Sequence, residues 1–187
     1  VVGERDVIYA DALSHASIID GCRLSRAAVK IFPHNDVGAL EQLLKSDTGF
    51  RRRLIAVDGV YSMDGDLAPL PDLVKLARNY DALLMLDDAH GTGVLGERGG
   101  GTAEHFGLTD PEGVDIEIGT LGKALGSFGA YVVGSESLRE YLVNRSRSFI
   151  FTCALTPPAL AAGIAALGVL DEEPAHRQRL WENIHHF

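Results

Sequence analysis

Lys123 is the residue of this sequence whose type and surroundings point most clearly to chemistry, because it lies among glycines in the segment GTLGKALG (119–126). A lysine removed from water has a lowered pKa, so that its amine can attack a carbonyl and form a Schiff base. Thr120 is near enough in sequence to donate its hydroxyl to a phosphate. The segment fails as a nucleotide phosphate loop, because Glu117 and Ala124 stand where that motif needs a glycine and a hydroxyl residue. An ordinary surface lysine is the alternative.

A second group follows the apolar run 83–86, where Asp87, Asp88 and His90 leave a buried strand together. Buried carboxylates are costly unless they meet a cation or hydrogen-bond donors, so a helix cap or a salt-bridged loop is one interpretation. A metal site is disfavoured, because no neighbouring residues complete a ligand set. The remaining interpretation is a carboxylate that pairs with a heteroaromatic ring nitrogen, with the histidine contacting the same ligand.

The segment GTGVLG (91–96) matches the G-x-G-x-x-G pattern of dinucleotide-binding proteins. In those proteins the glycines follow the strand directly and open a helix. Here two aspartates and a histidine separate the strand from the glycines, and ERGGG (97–101), which forms helix poorly, comes next. A nicotinamide or flavin site is therefore a weak alternative.

The elements that must position these groups alternate between short apolar strands and helices. The predicted strands are 6–10, 28–32, 54–57, 83–86, 115–118 and 130–133. The predicted helices are 14–26 with Ser14 as its cap, 35–45, 71–80, 135–145, 159–170 and one that begins near Pro174 and continues to the C-terminus. Continuously apolar strands indicate an α/β fold with a largely parallel sheet covered by helices on both faces.

Ligands of such sheets bind beyond the carboxyl ends of the strands. His15 follows the first predicted strand, although a lone histidine near a helix start more often has a structural role. Ser62 follows the third strand in DGVYSMDGD (58–66), which lacks the G-x-S-x-G context of a nucleophilic serine. Together with the acid–histidine group and the lysine loop, four strand ends would converge on one edge of the sheet, which favours a functional site.

The composition is that of an ordinary globular domain, with 187 residues, 46% hydrophobic, 23% charged and a formal net charge of −9. An acidic balance disfavours binding to a nucleic-acid backbone. No apolar run approaches the roughly 18–20 residues of a membrane span, and no secretory signal is visible. Cys22 and Cys153 lack metal-like spacing and are expected to be reduced thiols in a cytoplasmic protein. The 21 glycines predict tight turns and close backbone approaches.

Five stretches, taken together and in order, resemble the α-oxoamine synthases, a family of pyridoxal-phosphate (PLP) enzymes of aminotransferase fold type I. The stretches are DALSHASIIDG (11–21), DGVYSMDGDLAPL (58–70), LDDAHGTGVLGERGGGTAEHFG (86–107), GTLGKALGSFGAYVVGS (119–135) and RSFIFTCALTPP (147–158). The resemblance implies the mostly parallel, helix-flanked large domain of that fold. It also implies truncation at both ends, with residues 1–187 as the central part of the PLP-binding domain and the N-terminal arm and C-terminal small domain absent. A chain of this extent is expected to turn over poorly or not at all.

The resemblance assigns the cofactor site residue by residue. Lys123 is implied to carry PLP as a Schiff base, and Asp87 is implied to pair with the pyridine nitrogen and keep it protonated. His90 is implied to hydrogen-bond to the phenolic oxygen of the ring. His15 is implied to stack on the ring face, and it makes up the catalytic set with the lysine and the aspartate.

Hydroxyl groups complete the implied site. Ser62 would contact the same region of the ring, and Thr120 would bind the phosphate. Thr152 resembles a hydroxyl that reaches the phosphate of a neighbouring subunit, which implies a homodimer. The resemblance assigns no metal to the site.

The implied reaction condenses an amino acid with an acyl-CoA, loses CO2 and releases an α-amino ketone. The segments GSFGAYVVGS (126–135) and NRSRSFIFTCALTPP (144–158) are most similar to the biotin-pathway branch of the family. That branch joins L-alanine to a pimeloyl thioester, on CoA or on a carrier protein, and forms 8-amino-7-oxononanoate. The alternatives are the branch that joins glycine to acetyl-CoA (glycine C-acetyltransferase) and, more distantly, a non-catalytic α/β binding module.

Overall fold

A computed structural model of the chain describes residues 1–108 and 113–186. Its centre is a six-stranded sheet with the strand order β2-β1-β3-β4-β5-β6. The strands are β1 (Val7–Asp11), β2 (Ala28–Phe32), β3 (Arg53–Asp58), β4 (Ala82–Asp87), β5 (Ile116–Thr120) and β6 (Ala130–Gly134). Strands β1 to β5 are parallel, and β6 pairs with β5 in the antiparallel direction. The predicted α/β fold with a mostly parallel sheet is confirmed.

The described residues also contain the following helices. They are α1 (Ala16–Ser25), α2 (Val37–Ser46), α3 (Leu70–Asn79), α4 (Thr102–His105), α5 (Glu136–Arg145), α6 (Arg147–Ile150), α7 (Pro157–Glu172) and α8 (Ala175–His186). The sequence predicts all of them except α4 and α6, which have four residues each and are too short to show a helical period. The last helix is predicted to continue to the C-terminus, but Phe187 lies outside the described residues.

The strand order explains the composition of the strands. β1, β3 and β4 lie inside the sheet and are largely buried, which is why their sequences are continuously apolar. β2 and β6 lie at the two edges of the sheet. The residues of β2 alternate between partly buried and exposed, and most residues of β6 are exposed. On one face, α2 and α3 pack on the sheet around Leu40, Leu73 and Leu84, each of which is at most 1% exposed.

A smaller cluster covers the other face, where Ile18 of α1 and Leu138 of α5 pack around Ile8. The C-terminal helices differ, because they leave large apolar side chains in solvent. Phe149 and Phe151 are 61% and 72% exposed, and both follow directly on α5. Exposed aromatic side chains of this kind are suited to contact with other protein.

One predicted helix cap is wrong. Ser14 is expected to cap the first helix, but α1 begins at Ala16, and the N-cap is His15, whose Nδ1 accepts a hydrogen bond from the Ser17 N–H at 3.3 Å. The Ser14 hydroxyl is buried and has no hydrogen-bond partner among the described residues. The physical reason is that the backbone N–H of His15 donates to Asp58 Oδ2 at 3.0 Å, and this tie to β3 moves the helix start one residue along.

Asp6 anchors the amino end of β1 through an ion pair. Its fully buried carboxylate accepts hydrogen bonds from Arg51 Nε at 2.9 Å, from Arg51 Nη2 at 2.7 Å and from the Gly3 N–H at 2.8 Å. The hydrogen bonds from Arg51 lower the pKa of Asp6 to about 2. The ionised carboxylate therefore stabilises the folded state at neutral pH.

Asp6→Asn is expected to lower the free energy of unfolding by about 1–2 kcal/mol at neutral pH. Because the pKa of Asp6 is lower in the folded than in the unfolded state, this stabilisation is complete above about pH 4 and is lost as the pH falls toward about 2. Urea unfolding at about pH 7 and about pH 3 should show the difference between wild type and variant narrowing at the lower pH. Asp20→Asn removes an exposed carboxylate as a control. A difference that stays constant across this range would contradict the prediction.

Candidate active site

Four neighbouring strands end on the same edge of the sheet and carry polar groups there. β1, β3, β4 and β5 are adjacent and parallel, so the loops after their carboxyl ends lie side by side. Those loops contain, one from each, His15, Ser62, His90 and Lys123. Asp58 and Asp87, the last residues of β3 and β4, are register partners. The sheet order thus produces the convergence of strand ends that the sequence predicts.

The Lys123 amine meets an imidazole at this edge. Its Nζ lies 2.7 Å from Nε2 of His90, although the two residues are 33 positions apart in sequence. Partial burial and the positive charge of Lys123 lower the pKa of His90, and Asp87 opposes this shift. The imidazole is therefore neutral at physiological pH, and its Nε2 can accept a hydrogen bond from the Lys123 amine.

Asp87 supplies a carboxylate at the same place. It is 9% exposed, and its Oδ1 accepts a hydrogen bond from the Ala89 N–H at 3.2 Å. Within the part of the chain that the structure describes, Asp87 forms no ion pair. A nearly buried carboxylate in this state favours a ligand that brings a charged N–H group, as a protonated ring nitrogen does.

Asp58 holds the backbone of His15 and is a site residue that the sequence does not single out. It is 4% exposed, and its Oδ2 accepts the His15 N–H at 3.0 Å. Burial, with added repulsion from Asp87, raises the pKa of Asp58 to about 6. The charge of His15 makes a further, smaller contribution that lowers the pKa of His90. The sequence does contain a signal for Asp58, because this carboxylate follows an apolar run directly, as Asp87 does.

Ser62 lies exposed in the turn after β3, and His34 ties down the loop that contains it. Nδ1 of His34 lies 2.9 Å from Asp11 Oδ1, and Nε2 lies 2.8 Å from Asp66 Oδ2. Burial opposes protonation, but the two carboxylates raise the pKa of His34. The imidazole thus links the carboxyl end of β1, which precedes the loop with His15, to the loop after β3, which carries Ser62.

The two predicted threonines have different surroundings. The Thr120 hydroxyl donates to the Gly129 carbonyl at 3.1 Å and accepts a hydrogen bond from the Gly122 N–H at 3.1 Å. It therefore stabilises the conformation of the loop that contains Lys123. Thr152 lies exposed after α6, and among the described residues it forms no hydrogen bond with another predicted site residue. The phosphate contacts expected of both threonines stay predictions.

The glycine-rich segment 91–101 consists of turns, and the next helix, α4, begins only at Thr102. The segment therefore lacks the strand-to-helix geometry of a dinucleotide site. A Cβ on Gly93 would lie 2.6 Å from the Cβ of Ala124, next to Lys123. The glycines allow the segment to pack closely against the lysine loop.

The groups at this edge fit PLP. They provide an amine for a covalent bond, a carboxylate for the ring nitrogen and imidazoles beside both. The lysine loop is open at one point, since a Cβ on Gly126 would meet nothing within 4 Å. The set of donors and the open backbone together make this edge a candidate cofactor site.

Comparisons with known proteins show what the whole chain is similar to. The family model described as aminotransferase class I and II matches residues 2–187. A curated relative, the 8-amino-7-oxononanoate synthase of Geobacter sulfurreducens, is 58% identical over 182 residues, which are 96% of this chain and 46% of that protein. The chain therefore spans about half the length of the curated relative that it matches.

Solved structures share the fold. Serine palmitoyltransferase from S. paucimobilis with a bound PLP–myriocin aldimine has a TM-score of 0.93 at 34% identity, covering 98% of this chain and 46% of that chain. 8-Amino-7-oxononanoate synthase from Francisella tularensis has a TM-score of 0.85 at 34% identity, covering 99% and 52%. The predicted PLP-dependent transferase fold is confirmed.

Proposed function

The chain belongs to the family of class I and II aminotransferases, and from this we propose that it is the central part of the PLP-binding domain of an acyltransferase. The enzyme condenses L-alanine with a pimeloyl thioester, releases the thiol and CO2, and forms 8-amino-7-oxononanoate. The observation that carries the proposal is the 2.7 Å contact between Lys123 Nζ and His90 Nε2, beside the carboxylate of Asp87. The 58% identity to a synthase named for this product supports the choice of L-alanine over glycine.

Lys123 has two tasks in this proposal. Its Nζ would hold the cofactor covalently, and in its free form the amine would take the α-proton of the amino acid. His90 holds the amine at the sheet edge by accepting its hydrogen bond, and its lowered pKa keeps Nε2 available as an acceptor. The strand order brings the two residues together, so His90 is in place to hold the amine once it is free.

When bound, PLP supplies an electron sink for the negative charge that develops on the α-carbon. Asp87 would hold a proton on the ring nitrogen, because a nearly buried carboxylate favours the charged N–H form. His15, whose backbone is fixed by Asp58, would lie against the ring. Ser62 would contact the ring region, and Thr120 with the lysine loop would bind the phosphate.

We also propose that a homodimer and flanking segments complete the enzyme, with the N-terminal arm and the C-terminal small domain lying outside this chain. The coverage of 46% of a relative and the exposed Phe149 and Phe151 support this. Thr152 would then reach the phosphate of the neighbouring subunit. The isolated chain is accordingly expected to show little or no turnover.

A cytoplasmic location is part of the same proposal. Both cysteines are free thiols in the structure, which suits a reducing compartment. Over residues 1–108 and 113–186, no helix combines the length and the apolar character that crossing a membrane requires.

The choice of substrates is tested by CoA release from the full-length enzyme. L-alanine with pimeloyl-CoA should give a kcat/KM about 10-fold or more above that of glycine with acetyl-CoA, because a pocket that fits the longer partner gains from each buried methylene. The mixed pairs, L-alanine with acetyl-CoA and glycine with pimeloyl-CoA, separate amino-acid from acyl selectivity. A preference for glycine with acetyl-CoA would transfer the assignment to the sibling reaction.

A further inference from the structure

Asp88 lies between two proposed cofactor residues, Asp87 and His90, and its side chain is fully buried. Its Oδ2 accepts a hydrogen bond from the Thr102 N–H at 2.7 Å, and its Oδ1 accepts one from the Thr102 hydroxyl at 2.5 Å. Thr102 begins α4 and is 14 residues further along the chain. The carboxylate of Asp88 therefore joins the two ends of the glycine-rich segment 91–101.

Three glycines enclose this carboxylate. A Cβ added to Gly59, Gly91 or Gly101 would lie 2.5, 2.2 and 1.8 Å, respectively, from an oxygen of Asp88. The glycines belong to different places, namely the loop after β3, the turn after β4 and the start of α4. The backbone of three segments thus packs directly on the carboxylate, and a displacement of the side chain would displace all of them.

The backbone of Asp88 holds two further elements. Its N–H donates to the Ile118 carbonyl of β5 at 2.8 Å. Its carbonyl accepts hydrogen bonds from the Gly91 N–H at 3.1 Å, the Thr92 N–H at 3.0 Å and the Thr92 hydroxyl at 3.0 Å. The short turn that carries His90 is consequently held on both sides by this one residue.

The closed segment packs against the lysine loop. A hydrogen bond from the Gly93 N–H to the Gly99 carbonyl at 2.8 Å folds segment 91–101 back on itself. The Cβ position of Gly93 then lies 2.6 Å from the Cβ of Ala124, the residue that follows Lys123. The placement of the lysine relative to the histidine turn depends on this closure.

We propose that Asp88 and Thr102 are positioning residues, whose paired hydrogen bonds close segment 91–101 and hold His90 within hydrogen-bond distance of Lys123. The inference rests on the proposed function, because that function requires the contact between His90 and Lys123. Among the described residues Asp88 has no cationic partner, so the hydrogen bonds from Thr102 are what offsets the burial of its carboxylate. Removing a donor leaves a buried oxygen unsatisfied and favours opening of the segment.

The test measures the pKa of the His90 imidazole by NMR in the full-length protein without cofactor. In the wild type, burial and Lys123 lower this pKa, and Asp87 and His15 are the other charged groups that face the ring. Thr102→Val keeps the shape of the side chain but removes the hydroxyl donor. The His90 pKa is expected to rise toward the ordinary histidine value of about 6.5, because the turn moves away from the lysine.

Two matched variants separate this effect from a general loss of stability. Thr102→Ser restores the hydroxyl and should restore the lowered His90 pKa, whereas Thr48→Val, at an exposed threonine, should leave it as in the wild type. With cofactor added, Thr102→Val should also lower kcat by about 10-fold or more, since a small misplacement of reacting groups is costly. A folded Thr102→Val protein that melts earlier yet keeps the lowered His90 pKa would overturn the proposal.

If Thr102→Val does not fold, amide hydrogen exchange of the wild type tests the positioning role instead. The Thr102 amide should exchange as slowly as the amides of β4, because its N–H is buried against Asp88. Exchange as fast as in exposed turns would overturn the positioning role. The proposed function fails by a different result, a full-length wild type that takes up no PLP, and neither the NMR titration nor the exchange rate depends on that result.

Discussion

Lys123→Ala is expected to lower the rate of the condensation by about 10⁴-fold or more and to remove the visible absorbance that PLP gains when lysine binds it. The amine has both proposed tasks, covalent attachment and removal of the α-proton, so no partial function remains. The other three lysines of the chain lie on β2, α2 and α3, away from the loops of the site. None of these three lysines is therefore placed to replace the amine of Lys123.

Spectra and turnover of the full-length protein measure this effect. Lys75→Ala is the matched control, because Lys75 is exposed on α3 and pairs only with Asp72 in the described ion pairs; both readouts should stay at wild-type level. Lys123→Arg keeps the positive charge but forms no Schiff base, so it should fail as alanine does. An absorbance band that survives in Lys123→Ala, or an active Lys123→Arg, would disprove the assigned role.

Asp87→Asn is expected to lower kcat by about 10²–10³-fold, the usual cost of losing one preorganised electrostatic partner of a transition state. The amide has the shape of the carboxylate but no charge, so it no longer favours a protonated ring nitrogen. Because Lys123 still binds the cofactor in this variant, the absorbance band should persist while turnover falls. That combination distinguishes the electronic role of Asp87 from the covalent role of Lys123.

The measurement compares kcat and the absorbance of the full-length Asp87→Asn protein with those of the wild type. Asp87→Glu restores the charge with a longer side chain and should recover part of the lost rate. Asp72→Asn, at an exposed aspartate of α3, serves as the control. A kcat within about threefold of wild type in Asp87→Asn would assign the pyridine partner to another group.

Most elements could be predicted because their signals are local. The strand predicted at 54–57 extends over Arg53–Asp58, and the helix predicted at 71–80 extends over Leu70–Asn79. The short α4 could not be predicted, because its start depends on the hydrogen bonds that Thr102 gives to Asp88, 14 residues away. The cap of α1 shifted for the same kind of reason, since Asp58 holds the backbone of His15 from another strand.

The candidate site shows the same division. Lys123, Asp87 and His90 could be singled out because reactive side chains follow predicted strands directly. Asp58 and Asp88 also follow apolar strands, but the sequence assigns neither of them a role of its own. The pKa of each is raised to about 6 mainly by burial, a property of the packed chain. Burial depends on neighbours that are distant in sequence, so the residue types alone carry no sign of it.

The sequence by itself determined the alternation of strands and helices, the reactive groups at four strand ends and the resemblance to PLP enzymes, because each depends on residue type and on short spacing. Only the tertiary structure decided that β3 lies between β1 and β4, which makes Asp58 the neighbour of Asp87. It also decided that glycines from three segments enclose the Asp88 carboxylate. The physical reason is that strand order and close packing bring together residues far apart in the chain, and no local pattern records which of them will meet.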